Sequence, residues 1–151
     1  MKRKVFAAML LCTIAVASHA AQEGRIGLGV IFGEPTGISG QLLTSERNAI
    51  NAAVAWSFRR NGHFHFHADY LWQFPDIIRA SEQFTLFAGI GGRLAAGRGG
   101  GVLGLRFVGG VSWLPQNSPL EVFLEVAPIL NVLPATELDA NGGVGLRFFF
   151  W

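Results

Sequence analysis

Residues 63–74 read His-Phe-His-Phe-His-Ala-Asp-Tyr-Leu-Trp-Gln-Phe, twelve residues in which every even position is apolar and most odd positions are polar. A period of two is the signature of an extended strand with one apolar face. Twelve residues at roughly 3.4 Å each make a strand of about 40 Å, which is long for a soluble sheet. Phe64, Phe66, Ala68, Tyr70, Trp72 and Phe74 form one face, and His63, His65, His67, Asp69, Leu71 and Gln73 the other. The aromatic face either packs on a core or meets lipid, with the polar face then filling the inside of a closed barrel.

The remainder of the chain bears on that choice. Lys2, Arg3 and Lys4 precede an apolar run over 5–16 and the small residues Ser18-His19-Ala20, which reads as a secretory signal peptide over 1–20. The run is about 12 residues, short of the roughly 20 needed to cross a bilayer as a helix, so cleavage after Ala20 is expected, leaving 21–151 as one folded unit. Cys12 raises a lipoprotein alternative, but Leu11 stands where a small residue normally precedes a lipidated cysteine. Three of the 12 basic residues and none of the 10 acidic ones fall in the leader, so the remainder carries 9 − 10 = −1. A nucleic-acid partner, which needs a basic surface, has no support. No cysteine follows Cys12, which leaves neither a disulfide framework nor a thiolate site. The chain is 50% hydrophobic and 15% charged, with mean hydropathy +0.37, yet no second apolar run of about 18 residues exists. An exported, very apolar chain without spanning helices leaves the closed barrel as the membrane structure that satisfies its backbone.

Eight strands are expected, over 25–32, 38–44, 49–58, 63–74, 84–96, 102–114, 120–133 and 141–151. The punctuation between them is the Gly33-Glu34-Pro35-Thr36-Gly37 reversal, the Ser45-Glu46-Arg47-Asn48 turn, the Asn61-Gly62 hairpin signal, a nine-residue link over 75–83, the glycines of 97–101, the prolines of 115–119 and a polar loop over 134–140. The longest link falls at the end that holds both termini, whereas outer-membrane barrels usually keep long loops at the other. In each frame the charged residue lies opposite the larger apolar set: Arg25, Asp69, Arg93, Arg106, Glu121, Glu125 and Arg147. These seven are expected to form a lumen ion-pair network, with the four arginines meeting Asp69, Glu121 and Glu125, since unpaired buried charge is strongly destabilising. Small inward residues such as Gly89, Gly91 and Gly145 leave room for them in a narrow barrel. The alternative is that they line a narrow conducting path. Aromatics fall at two heights, with Phe32, Trp56, Phe58 and Phe64 near one rim and Trp72, Phe74, Phe84, Trp113, Phe148 and Phe150 near the other, as interfacial girdles would.

The closing stretch Gly143-Val144-Gly145-Leu146-Arg147-Phe148 resembles the last strand of small outer-membrane barrels of the OmpA and OmpX type. That resemblance implies an eight-stranded antiparallel up-and-down transmembrane β-barrel, all-β, in the outer membrane of a Gram-negative envelope. It also implies partners: the Sec export route, outer-membrane lipids, and the barrel assembly machinery, whose signal would be Val144, Leu146, Phe148, Phe150 and Trp151. Here Phe149-Phe150-Trp151 extends the usual terminal aromatic. The Gly33 to Gly37 hairpin resembles one in small uncharacterised outer-membrane proteins, which carries no activity over.

Candidate chemistry is sparse. His63, His65 and His67 share a face and are weak candidates for a zinc site with Asp69, against the plainer reading of polar lining. Some eight-stranded barrels are lipid A deacylases with a His and a Ser two residues apart; here that place holds His or Asp, and Ser39, Ser57 and Ser112 have no His nearby in sequence. Arg59, Arg60 and Arg98 sit in expected outer turns, where they could touch lipopolysaccharide phosphates or be solvated surface. The glycine-rich stretches open no helix and carry no lysine, so no phosphate loop is expected. The expectation is a monomeric, non-enzymatic barrel without cofactor, with a lipid A modifying enzyme, a narrow pore and a soluble lipocalin-like carrier as rivals.

Overall fold

The computed structural model describes residues 25–57, 63–78, 83–97, 99–115 and 117–150. The leader, Phe58, Arg59, Arg60, Arg98 and Trp151 lie outside these, and with them the expectations attached to them. All eight elements are strands: β1 Ile26–Glu34, β2 Thr36–Leu43, β3 Asn48–Ser57, β4 His63–Phe74, β5 Gln83–Gly97, β6 Gly100–Leu114, β7 Leu120–Leu133 and β8 Glu137–Phe150. Each pairs antiparallel with the next, and β1 closes on β8 from Ile26↔Phe150 to Glu34↔Gly142. Closure removes both sheet edges, so every strand finds its backbone partners within the ring.

The alternation that makes the strands also sorts the side chains. Along β4 the odd positions His65, His67, Asp69 and Leu71 are buried, while Phe64, Phe66, Tyr70, Trp72 and Phe74 are exposed. The same holds on β7, with Glu121, Phe123, Glu125, Ala127 and Ile129 inside and Leu124 and Val126 outside. The barrel is therefore turned inside out relative to a soluble domain, with an apolar skin on every strand and Arg93, Arg106 and Arg147 within. An apolar cluster of Ala49, Leu71, Phe87, Val108 and Ala127 shares the interior with them.

The structure departs from the sequence expectations at strand ends. β8 begins at Glu137, so the loop expected over 134–140 shrinks to 134–136 and Asp139 pairs with Ile129 on β7. The alternation Glu137-Leu138-Asp139-Ala140-Asn141 was hidden by its two carboxylates and the preceding Pro134, which read as a polar loop. The first reversal is also tighter than expected, with only Pro35 between β1 and β2, because Thr36 Oγ1 donates to the Gly33 carbonyl at 3.0 Å and accepts from its amide at 3.2 Å.

Candidate functional site

The interior divides into a packed middle and two mouths. Arg106, on β6 and 1% exposed, donates through Nη1 to Asp69 on β4 and through Nη2 to Glu125 on β7 at 2.5 Å. His67 stands beside this group, with Nε2 3.8 Å from Asp69 Oδ2. Nearer the termini, Arg147 on β8 donates through Nη1 to Glu121 and Gln41, both at 2.7 Å. Its Nη2 reaches Ser39 at 2.9 Å and Asn51 at 3.1 Å, and its guanidinium lies over the Phe123 ring at 4.2 Å. A planar, five-donor fork is what lets one side chain bind several strands across a lumen. Close approach by Gly makes the room: a Cβ on Gly145 would strike the Phe123 ring, and one on Gly91 would strike Asp69 and the Ala68 carbonyl.

Arg93 takes a different set of partners, donating to Asp139 Oδ2 at 3.0 Å and Asn131 Oδ1 at 3.1 Å. Sequence reasoning missed both, since Asp139 lay in an expected loop and Asn131 is uncharged. Arg25 is corrected outright. It is exposed at the terminal mouth, with its guanidinium 5.9 Å from the Phe149 ring centre, and is not part of the buried interior. One position before the first ladder pair, it lies beyond the stretch where inward alternation implies burial.

The histidines are spread along the barrel axis. His63 and His65 meet edge to face with ring centres 6.5 Å apart, and His67 lies deeper against Arg106 and Asp69. Among the described residues, no group of three or more His, Cys, Asp or Glu is arranged to hold a metal ion. The ladder does bring one serine to a histidine that short sequence spacing could not reveal, for Ser57 pairs with His63 across β3 and β4. Ser57 Oγ donates to Glu34 Oε2 at 2.6 Å, however, so its proton points to a carboxylate and not to an imidazole base.

Each mouth holds a cavity. At the terminal end, Arg25, Glu46, Gln73, Thr85, Ser112 and Phe149 help to line about 410 Å³. At the other end, Glu34, His63, His65, Arg93, Glu137 and Asn141 help to line about 280 Å³. Between them stand the Arg147 and Arg106 groups and the apolar cluster. On the outside of β8, Val144, Leu146, Phe148 and Phe150 are exposed in a row, with Phe148 and Phe150 in edge contact at 5.1 Å. Phe84 and Trp113 stack at 6.3 Å on the same rim, and Trp56 pairs with Phe64 toward the opposite one.

The chain is a closed eight-stranded β-barrel. Among solved structures it is similar to the crystal structure of Neisserial surface protein A (NspA), with a TM-score of 0.54 and 12% identity over 84% of this chain and 94% of that one. At that identity the likeness is one of fold. No protein-family model and no curated protein sequence matches the chain.

Proposed function

We propose that this protein is a non-enzymatic outer-membrane β-barrel of the small OmpA and OmpX kind, with a structural or interaction role. The observation that carries the reading is the apolar outer surface. Leu28, Val54, Phe66, Ile90, Phe107, Leu124 and Leu146, one from each of seven strands, and Ile38 from the eighth all stand 40–66% exposed. Monomeric soluble proteins rarely expose contiguous apolar patches beyond a few hundred Å², and an apolar band with aromatic rims is what acyl chains solvate. The interior speaks against a soluble carrier, which would place its apolar side chains inside. The likeness to a protein named for the cell surface supports the same location.

On this reading the leader directs Sec export, the β8 row is offered to the barrel assembly machinery, and lipids of the outer membrane, lipopolysaccharide included, are the immediate partners of a monomer. The Arg147 and Arg106 groups close the lumen, and the Ser57 hydroxyl, across the ladder from His63, donates to Glu34. The test is fractionation with carbonate extraction, followed by electrophoresis of boiled and unboiled samples. The protein is expected in the membrane pellet with a migration shift on boiling, and release into the carbonate supernatant would overturn the location. Planar-bilayer recording is expected to show no steady conductance, and lipid A mass spectra are expected to be unchanged by expression. A stable channel would replace the closed lumen, and an altered acyl pattern would replace the non-enzymatic role.

A further inference from the structure

Closure joins every strand to two neighbours, but not over the whole length of each. The ladder between β1 and β8 ends at Glu34↔Gly142, whereas β8 begins at Glu137. Over 137–141 it pairs with β7 alone, from Asn141↔Ala127 to Glu137↔Asn131. The chain turns at Pro35 directly after Glu34 and starts back as β2 at Thr36, so β1 supplies nothing further along this line. Register decides which groups are left open. Phe149 donates its N–H to the Pro119 carbonyl on the β7 side. Successive residues of a strand turn their N–H and C=O to alternate sides, so odd positions of β8 serve β7 and even ones serve β1. Leu138 and Ala140 therefore turn theirs to the open side. The Ala140 N–H is taken up by the Asp139 carboxylate at 2.8 Å. The N–H and C=O of Leu138 and the C=O of Ala140 have no backbone partner among the described residues. Such a row is a template on which a further strand can pair.

The occupant follows from the side chains beside this edge. Leu138 points outward and is 85% exposed, while Glu137 and Asp139 stand on the other face. A second copy fits badly, for every antiparallel register clear of β1 sets one carboxylate of that row directly against another, and like charges so placed are destabilising. We propose that β8 over 137–141 takes up, in continuation of β1, an extended segment of another polypeptide with basic side chains at alternate positions. One basic residue lies opposite Glu137, which makes no ion pair among the described residues, whereas Asp139 is answered by Arg93. Arg59, Arg60 and Arg98 belong to the links between β3 and β4 and between β5 and β6, and neither link adjoins β8 in the strand order. An apolar residue of the segment covers Leu138. In this mode of recognition main-chain hydrogen bonds give affinity and alternate side chains give selectivity. The site depends on the register of the barrel alone, so its failure would leave the membrane location untouched.

Isothermal titration of the full chain, folded in a neutral detergent, reads the site with three blocked peptides: Lys-Val-Lys-Val-Lys, the same peptide N-methylated at both valines, and Glu-Val-Glu-Val-Glu. The lysine peptide is expected to bind with a Kd on the order of 0.1 mM, and the methylated and acidic peptides each roughly tenfold more weakly. Leu138→Pro removes an edge N–H and no bond to β7, and should weaken the lysine peptide about tenfold. Glu137→Gln should weaken it about threefold. The boiling shift in electrophoresis reports folding of each variant. Should Leu138→Pro fail to fold, the methylated peptide against the unaltered chain carries the test. Equal binding of the methylated and parent peptides would reduce the contact to charge and overturn the edge, as would unchanged binding in a folded Leu138→Pro barrel. Equal binding of the acidic peptide would overturn the basic partner. A concentration-dependent dimer that Leu138→Pro abolishes would give the edge to a second copy instead.

Discussion

Arg147 and Arg93 are both almost wholly enclosed, and they are held in opposite ways. Arg147 is ringed by Glu121, Gln41, Ser39, Asn51 and the face of Phe123, all of them inside the wall. Arg93 leans on Asn131 and on Asp139, whose side chain is 48% exposed at the rim. The difference is one of dielectric. Deep in the lumen an arginine must find its charge partners in the protein, because desolvation costs several kcal/mol per ion, and even there the Nε atoms of Arg106 and Arg147 have no hydrogen-bond partner. Near the mouth solvent can share the task, as it does at the half-exposed Asp139 carboxylate. Ionic stabilisation should therefore be greatest at the deep Arg106 and Arg147 groups and least at the rim.

Breaking the deep group should have the largest effect. Arg106→Met leaves Asp69 and Glu125 buried without their cation, with an expected loss of about 3–5 kcal/mol in urea unfolding of the folded barrel. The contrast sharpens if Arg106→Met, Asp69→Leu and Glu125→Leu are combined, for removal of the whole ionic group should recover most of that loss. Gly145→Ala comes next, with an expected cost of about 1–3 kcal/mol, because the added methyl must displace the Phe123 ring that packs under Arg147. Asp139→Asn at the mouth should cost no more than about 1 kcal/mol, and less still in high salt, since its partner ion pair is half in water. Smallest is Asp76→Ala, which removes the exposed 3.0 Å pair with Arg47 and should change unfolding by about 0.5 kcal/mol or less. If the Asp139 variant lost as much as the Arg106 variant, the division between deep groups and rim groups would fail.

Much of the wall could be read from the chain in order. β4 and β7 run over the residues that alternation marks out, and the charged positions 69, 93, 106, 121, 125 and 147 all face inward. What escaped was of two kinds. Arg25 keeps the inward parity but lies beyond the last ladder pair, where parity no longer implies burial. Asp139 and Asn131 became the partners of Arg93 through the extension of β8 along β7, a stretch whose two carboxylates after Pro134 read as a loop. The pairing of Ser57 with His63 was likewise invisible to spacing along the chain, because it is set by the β3 and β4 register.

Which face of each strand is apolar was decided by the order of residues alone, since successive side chains on an extended backbone must point to opposite sides. Which acid meets which arginine was decided only when the sheet closed. Arg147 reaches Ser39, Gln41 and Asn51, about a hundred positions away, because β8 pairs with β1 and the lumen is narrow enough for one guanidinium to cross it. Distance across a barrel is a property of the ring, and no local pattern encodes it.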